Sequence, residues 1–146
     1  MLRMLSLDTK SRVETYFREL PDGMLYAPAT EEELQEFETV FGTIPEDYRW
    51  LLQTCGGGVI GRDWVDGIVV LADSHRKFQR EFGPPRGWTM RDVFVIGWDG
   101  GGNPFGIERS TGRVLVEDHQ FGGIHELAPS FEEFVLSGIT TDDDAG

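Results

Sequence analysis

Carboxylates are the most numerous side chains in this sequence that could do chemistry. Two helix-like segments open with acidic runs, Glu31-Glu32-Glu33 and Glu132-Glu133. The helix dipole favours negative charge in a first turn, so capping accounts for much of this pattern. Glu32 and Glu36, however, are four residues apart with no basic partner in the sequence, a spacing at which like charges repel along a helix. We expect an acidic outer face for solvation or for a cationic partner, formed by Glu32, Glu36, Glu38, Glu46 and Asp47.

Two tryptophans stand among glycines and acids in segments that look like loops. Trp64 lies within Gly61–Gly67, and Trp98 lies within Gly97–Gly100. Aromatic side chains near loops either anchor an interface or pack at the edge of a core. The residues that we predict to contact a protein partner are Glu32, Glu36, Glu46, Asp47, Asp63, Trp64, Asp66, Asp99 and Asp118.

Histidine, serine and cysteine occur without the neighbours that nucleophilic catalysis or metal binding requires. The three histidines, His75, His119 and His125, are dispersed, and only His119 follows a carboxylate, that of Asp118. Adjacent residues of a strand face opposite sides, so these two do not easily form a dyad. No serine lies in a nucleophile-elbow sequence, and Cys55 has no assigned base. We therefore expect no catalytic residue, no metal site and no enzymatic activity.

The glycine run Asp99-Gly100-Gly101-Gly102-Asn103 is the most conspicuous local feature of the sequence. Glycine-rich segments cradle phosphates through their backbone amides when a helix follows. Here Pro104 and the apolar segment 105–109 follow instead, and the alternating oxygen ligands of a calcium loop are missing. The run predicts a turn between two strands, and we expect no cofactor.

Length and composition indicate one soluble domain. A chain of 146 residues with 39% hydrophobic and 12% aromatic residues is large enough to bury a core without disulfides. A single cysteine is typical of a reducing compartment. The first residues lack the apolar region of a secretion signal, and the longest apolar runs have the length of strands. We expect a cytoplasmic location.

The net charge of −13 is unevenly distributed along the chain. Residues 19–48 carry nine acidic and no basic residues, and residues 114–146 carry eight acidic and no basic residues. Such a surface repels nucleic acid and anionic membranes, and it accelerates encounter with a basic partner. Solubility alone is the alternative explanation.

Helix signals lie near both ends of the chain, and strand signals lie in the middle. The spacing of apolar residues predicts helices over 8–20, about 30–42 and 45–55, and a closing helix that begins at Ser130. Asp8 is the expected cap of the first helix. Thr30 with Glu33 forms a capping box for the second, in which Val40 belongs to the predicted apolar face.

Strands are predicted over 68–72, 91–98, 105–109 and 113–118, and the last two form a hairpin closed by Gly112. The continuous apolar run 93–96 indicates a strand covered on both faces. Residues 74–90 are expected to be a surface loop with a short helical turn, and residues 140–146 a frayed acidic tail. This order of elements indicates an α+β domain with a central, twisted, mostly antiparallel (mixed) sheet flanked by helices.

Three segments occur in a familiar order: 44–52 running into Gly56-Gly57-Gly58, then 94–107 with the glycine run at its centre, then 127–135. In this order they resemble the SUKH superfamily, which includes yeast cell-wall-assembly regulators and many bacterial immunity proteins. The resemblance covers about residues 28–136.

The resemblance implies an α+β fold without enzymatic activity. Short bacterial members look like immunity proteins that bind and neutralise a cognate secreted toxin, often a nuclease, whose substrate groove is basic. A regulatory or scaffold module of the cell-wall-assembly-regulator type is the alternative that the same resemblance allows. A third hypothesis is a small-ligand protein or enzyme that uses the loops at Asp63–Asp66 and Asp99–Asn103.

Overall fold

The structure of the protein, a computed structural model, describes the backbone of residues 5–145 and the side chains of residues 5–140. Within that range the helices are α1 (Leu7–Glu19), α2 (Glu31–Phe41), α3 (Glu46–Thr54), α4 (Ile68–Arg80) and α5 (Phe131–Ala145). The strands are β1 (Gly58–Ile60), β2 (Asp63–Val65), β3 (Val93–Trp98), β4 (Pro104–Glu108), β5 (Val114–Glu117) and β6 (Ile124–Ala128). The predicted α+β class is confirmed.

The first helix begins one residue earlier than its sequence pattern suggests. Ser6, and not Asp8, is the N-cap, because the Ser6 hydroxyl accepts a hydrogen bond from the Thr9 N–H at 3.1 Å. Asp8 lies in the first turn, where its negative charge interacts favourably with the helix dipole. Val13 and Phe17 are buried, as their spacing predicts.

The second helix has the predicted capping box. The Thr30 hydroxyl accepts from the Glu33 N–H at 3.1 Å, and the Glu33 carboxylate accepts from the Thr30 N–H at 2.9 Å. Gly42 ends the helix with a φ of 95°. The prediction that Val40 faces the core is wrong: its side chain is 68% exposed.

The predicted strand over residues 68–72 is the first part of α4, which continues to Arg80 through half of the predicted loop. Leu71 and His75 are buried four residues apart on one side of this helix, whereas Val69 is 71% exposed. A short continuous apolar run does not distinguish a buried strand from a helix, and the helical burial of Leu71 and His75 decides this case.

Both sheets are antiparallel in every pairing between their named strands. β3, β4, β5 and β6 pair in chain order, and the predicted β4–β5 hairpin turns at Gly112 with a φ of 82°. β1 and β2 form a separate hairpin that the sequence pattern did not predict, and β6 was missed as well.

β3 is at one end of the four-stranded sheet, yet Phe94, Val95 and Ile96 are buried. The Asp66 N–H donates to the Ile96 carbonyl at 2.8 Å, so the segment after β2 covers this edge of the sheet. α4 packs against β3 as well. Together these elements give β3 the two-sided burial that its apolar run predicts.

The closing helix completes the core. The Ser130 hydroxyl accepts from the Glu133 N–H at 3.1 Å, and Phe131, Phe134 and Val135 are buried. The helix extends to Ala145, past the residue at which a frayed tail was predicted to begin, and Gly146 lies outside the described residues. In the described part of the chain, no helix has both the length and the apolar character needed to cross a membrane.

Candidate functional site

Among the predicted partner contacts, two glutamates of α2 are exposed and form no ion pair within residues 5–140. Glu32 and Glu36 are both exposed, and neither has an ion-pair partner among the described residues. They are one helical turn apart, so their charges lie on the same side of α2 and repel each other. This local repulsion is relieved when a cation binds between or beside them.

Arg49 neutralises a different part of the acidic outer face. Its guanidinium lies 2.9 Å from the carboxylate of Glu31 and 3.1 Å from that of Glu38. Although burial raises the pKa of Glu38, hydrogen bonds from Arg49 and from the Ile44 N–H lower it below its ordinary value. Glu38 therefore joins α2 to α3 and does not belong to the open acidic face.

An open groove of about 350 Å³ lies beside Glu36, between α2 and α4. Glu36 and Val40 line it from α2, and Ile68, Ala72 and Arg76 line it from α4. Val40 is 68% exposed, whereas Ile68 and Ala72 are partly buried. An apolar centre with a polar rim is the usual composition of a protein interface.

Glu46 and Asp47 lie at the start of α3, on a different helix from Glu32 and Glu36. Glu46 is exposed, whereas Asp47 is partly buried and accepts a hydrogen bond from the Leu5 N–H at 3.1 Å. Burial raises the pKa of Asp47 against the opposing effect of that hydrogen bond. Asp47 thus fixes the chain before α1, which leaves Glu46 as the more accessible of the two.

The structure brings Asp63, Trp64 and Asp99 together near the ends of β2 and β3. Burial raises the pKa of Asp63, and the nearby negative charge of Asp99 raises it further. Trp64 is 42% exposed, and its ring meets the ring of Tyr26 edge-on at 6.0 Å. The acidic pair of Asp63 and Asp99, together with the accessible ring of Trp64 in the same strand as Asp63, is a second candidate contact surface.

The glycine run is a turn between β3 and β4, as predicted. The Asp99 carboxylate accepts from the N–H groups of Gly101 and Asn103, each at 2.9 Å. The Asn103 side-chain oxygen accepts from the His119 N–H at 3.0 Å, which joins this turn to the next one. There, Asp118 accepts from the Phe121 N–H at 2.9 Å, and this hydrogen bond lowers the pKa of Asp118. Asp99 and Asp118 therefore stabilise neighbouring turns.

Asp66 does not fit its predicted role as a partner contact, because the residue is only 8% exposed. Its carboxylate accepts a hydrogen bond from the Ser74 hydroxyl on α4. Its backbone carbonyl accepts from the Tyr48 hydroxyl at 2.6 Å. Burial raises the pKa of Asp66 to about 6. The residue contributes to the packing between α3, α4 and β3.

The nucleophile and base candidates are buried in structural positions. Cys55 is 7% exposed, and burial raises the pKa of its thiol to about 12. His75 packs against the rings of Phe37, Phe41 and Phe94, and its Nε2 lies 2.8 Å from the Val95 carbonyl. Burial lowers the pKa of His75 to about 4. Among the side chains of residues 5–140, no three of His, Cys, Asp or Glu are grouped so as to hold a metal ion.

Sequence reasoning missed the apolar part of the α2–α4 groove. The apolar spacing of α2 places Val40 in the core, and Ile68 and Ala72 lie within the predicted strand. The polar run Asp73–Lys77 follows Ala72 directly, so the apolar segment 68–72 continues into polar residues without a turn signal. This continuation favours an amphipathic helix over a short strand. In a helix, Ile68 and Ala72 are four residues apart and lie on the same side.

Comparison with known families supports the resemblance noted from the sequence. The model described as the SMI1 / KNR4 family (SUKH-1) matches residues 28–137, which is more than half of the chain. Comparison with curated proteins gives no match. The matched range includes both candidate contact surfaces.

Proposed function

Because the chain belongs to the SMI1 / KNR4 family (SUKH-1), we propose that it is an immunity protein of the bacterial cytoplasm. In this role it binds a cognate toxin and neutralises it without catalysing a reaction. The toxin would be a basic protein, for example a nuclease.

The observation that carries this proposal is the pair of free carboxylates on α2, of which Glu36 lies beside the exposed side chain of Val40. Glu32 and Glu36 have no basic partner within the described chain, and Glu36 lines the α2–α4 groove next to Val40. Exposed charges raise the rate of association with an oppositely charged protein, and apolar side chains that become buried contribute to its affinity. A basic toxin would therefore associate faster with this surface and bind it more tightly.

The buried positions of the reactive side chains support the non-catalytic part of the proposal. The thiol of Cys55 is kept protonated by its burial, and the ring of His75 is enclosed by three aromatic rings. Neither is placed to reach a substrate at the surface.

Co-expression tests the proposal directly. A predicted toxin domain encoded beside this gene is expressed from an inducible promoter, with and without this protein, and colony survival is measured. We expect survival only when both are present, together with a stable complex of the two purified proteins. Survival that does not depend on this protein, or the absence of a complex, would contradict an immunity role.

A regulatory or scaffold module is the second candidate, because the description of the matching family model names SMI1 and KNR4 as well as SUKH-1. Affinity purification of the tagged protein from its own cells distinguishes the two. Recovery of a housekeeping assembly, with no toxin encoded nearby, would favour the module.

A further inference from the structure

A groove of about 720 Å³ lies on a different part of the molecule, between the C-terminal half of α4, the loop after it and the glycine turn. We call it the basic groove. The side chains and backbone that define it are Lys77, Arg80, Arg86, Trp88, Gly101 and His119. Its volume falls within the range of about 300–1,000 Å³ that is usual for ligand sites.

The cations of the basic groove outnumber its carboxylates, although the protein as a whole carries a net charge of −13. Lys77, Arg80 and Arg86 form no ion pair with any described residue. The groove has one carboxylate, Glu81, and its Oε1 accepts a hydrogen bond from the Trp88 indole N–H at 3.0 Å. Positive charge is thus concentrated in this groove and is left available to a ligand.

Aromatic rings and hydrogen-bonded turns give the groove a preformed wall. The Trp88 ring meets the rings of Trp98 and His119 edge-on, at 5.7 and 6.1 Å. The Lys77 ammonium lies 4.1 Å from the centre of the Trp98 ring, which fixes its position by a cation–π contact. A ligand therefore meets ordered aromatic surface next to charge.

The loop that carries Arg86 and Trp88 is itself held in place. The Trp88 N–H donates to the Glu81 carbonyl at 2.9 Å, and the Gly83 N–H donates to the Trp88 carbonyl at 3.0 Å. The Glu117 carboxylate on β5 accepts from the N–H groups of Thr89 and Met90 at 2.8 and 2.9 Å. A preformed loop loses less conformational entropy when a ligand binds.

We propose that the basic groove binds an extended acidic segment of a partner protein. Arginine clusters recognise acidic peptide motifs by charge-assisted hydrogen bonds to successive carboxylates. Lys77 and Arg80 belong to α4, and Arg86 belongs to the following loop, so the groove presents cations from two elements. The Trp88 ring provides apolar surface for a side chain between the carboxylates.

Two other anions fit these features less well. A long nucleic acid would extend past the groove and be repelled by the acidic segments 19–48 and 114–146, which together carry seventeen acidic residues and no basic one, whereas a short acidic segment would occupy the groove alone. A single phosphate reaches only the cations around one point, whereas an extended segment can contact cations on both elements of the groove. Both anions serve as comparison ligands in the test.

The experiment uses the full chain, ¹⁵N-labelled, titrated with hexaglutamate peptide, and follows the indole N–H signals of the tryptophans by NMR. The signal of Trp88 is assigned from its loss in Trp88→Phe. We expect a saturable shift of the Trp88 signal that weakens as the salt concentration rises, because salt screens exposed charges. The double variant R80E/R86E should bind at least tenfold more weakly.

A matched control is R12E/R18E, which makes the same change in net charge on α1. It should retain the affinity of the unaltered protein within about twofold, since only local charge matters for groove binding. No shift of Trp88 at saturating peptide, or an equal loss of affinity in both double variants, would overturn the proposal. Inorganic phosphate or oligothymidylate that binds the groove as tightly as the peptide would overturn it too, in favour of a general anion site.

Discussion

The Asp66 carboxylate, just before α4, accepts a hydrogen bond of 2.5 Å from the Ser74 hydroxyl within that helix, and Asp66 is only 8% exposed. This carboxylate is removed from water with no cation beside it. Burial raises the pKa of Asp66 from 3.8 to about 6, against the opposing effect of the Ser74 hydrogen bond. At neutral pH the protein therefore contains a buried negative charge that opposes folding.

Asp66→Asn should stabilise the protein at pH 8 and have little effect at pH 3.5. The pKa in the folded state is above the unfolded value, so the stability linked to Asp66 is complete below pH 3.8 and is lost as the pH rises through about 6. A rise of about two pKa units corresponds to at most about 3 kcal/mol, and asparagine still accepts the Ser74 hydrogen bond. Urea unfolding at both pH values measures the difference. Equal stability of the two proteins at pH 8 would contradict this account of the site.

His75→Gln should have the opposite pH dependence. Burial lowers the pKa of His75 from 6.5 to about 4, so its contribution to stability is complete above pH 6.5 and is lost as the pH falls through about 4. Glutamine keeps a donor for the Val95 carbonyl but does not titrate. Relative to the unaltered protein, the variant should lose less stability between pH 6.5 and 4.

Asp66 and His75 titrate in overlapping windows with opposite signs, so their effects partly cancel in the unaltered protein. Urea unfolding at half-unit steps from pH 4 to 7 should show a steeper acid-side loss for Asp66→Asn and a shallower one for His75→Gln. Parallel stability profiles for the two variants would show that neither group titrates as described.

The caps of α2 and the β4–β5 hairpin are predictable from sequence because their signals are local. Thr30 with Glu33, Gly42 and Gly112 each act within a few residues, and the structure has all of them in the expected roles. The start of α4 was not predictable in this way. Its residues 68–71 are apolar and rich in β-branched side chains, so only the burial of Leu71 and His75 against other elements establishes a helix.

Strand β6 and the basic groove depend on contacts between distant segments. Of the residues of β6 only Ala128 is buried, so the strand has no alternating apolar pattern and is defined by its pairing with β5. The groove joins α4, the loop after it, the glycine turn and His119. Similarly, the burial of Asp66 follows from its packing beneath α4, and no feature of its sequence neighbours distinguishes it from Asp63, which is only partly buried.

Glycine substitutions at two positions of the β3–β4 region should have very different costs. A Cβ atom at Gly106 would lie 2.2 Å from the Phe94 carbonyl oxygen, a backbone atom that moves only with β3. At Gly100 nothing lies within 4 Å of the added atom. Gly106→Ala should lose about 3 kcal/mol or more of unfolding free energy, and Gly100→Ala less than about 0.5 kcal/mol. Thermal and urea unfolding of the pair measure this contrast, and similar stabilities would show that β3 and β4 are not so closely apposed.

Charge reversal on α2 tests the proposed contact with a basic toxin. E32K/E36K raises the net charge from −13 to −9 by replacing two acids with two lysines, and E14K/E19K makes the same change on α1. All four glutamates are exposed, and none has an ion-pair partner among the described residues, so both variants should fold. If Glu32 and Glu36 attract the toxin, the first variant should associate about tenfold more slowly and with a weaker dependence on salt.

The α1 variant separates this local effect from that of net charge. It should slow association by less than about threefold, because charges farther than a Debye length of about 8 Å from the contact are largely screened at physiological salt. Stopped-flow or biolayer interferometry at several salt concentrations gives both rates. Equal slowing by the two variants would mean that the overall charge attracts the toxin and that the free carboxylates of α2 do not define the contact. Unchanged rates in both would place the contact on another surface, of which the pair of Trp64 and Asp63 is the next to test.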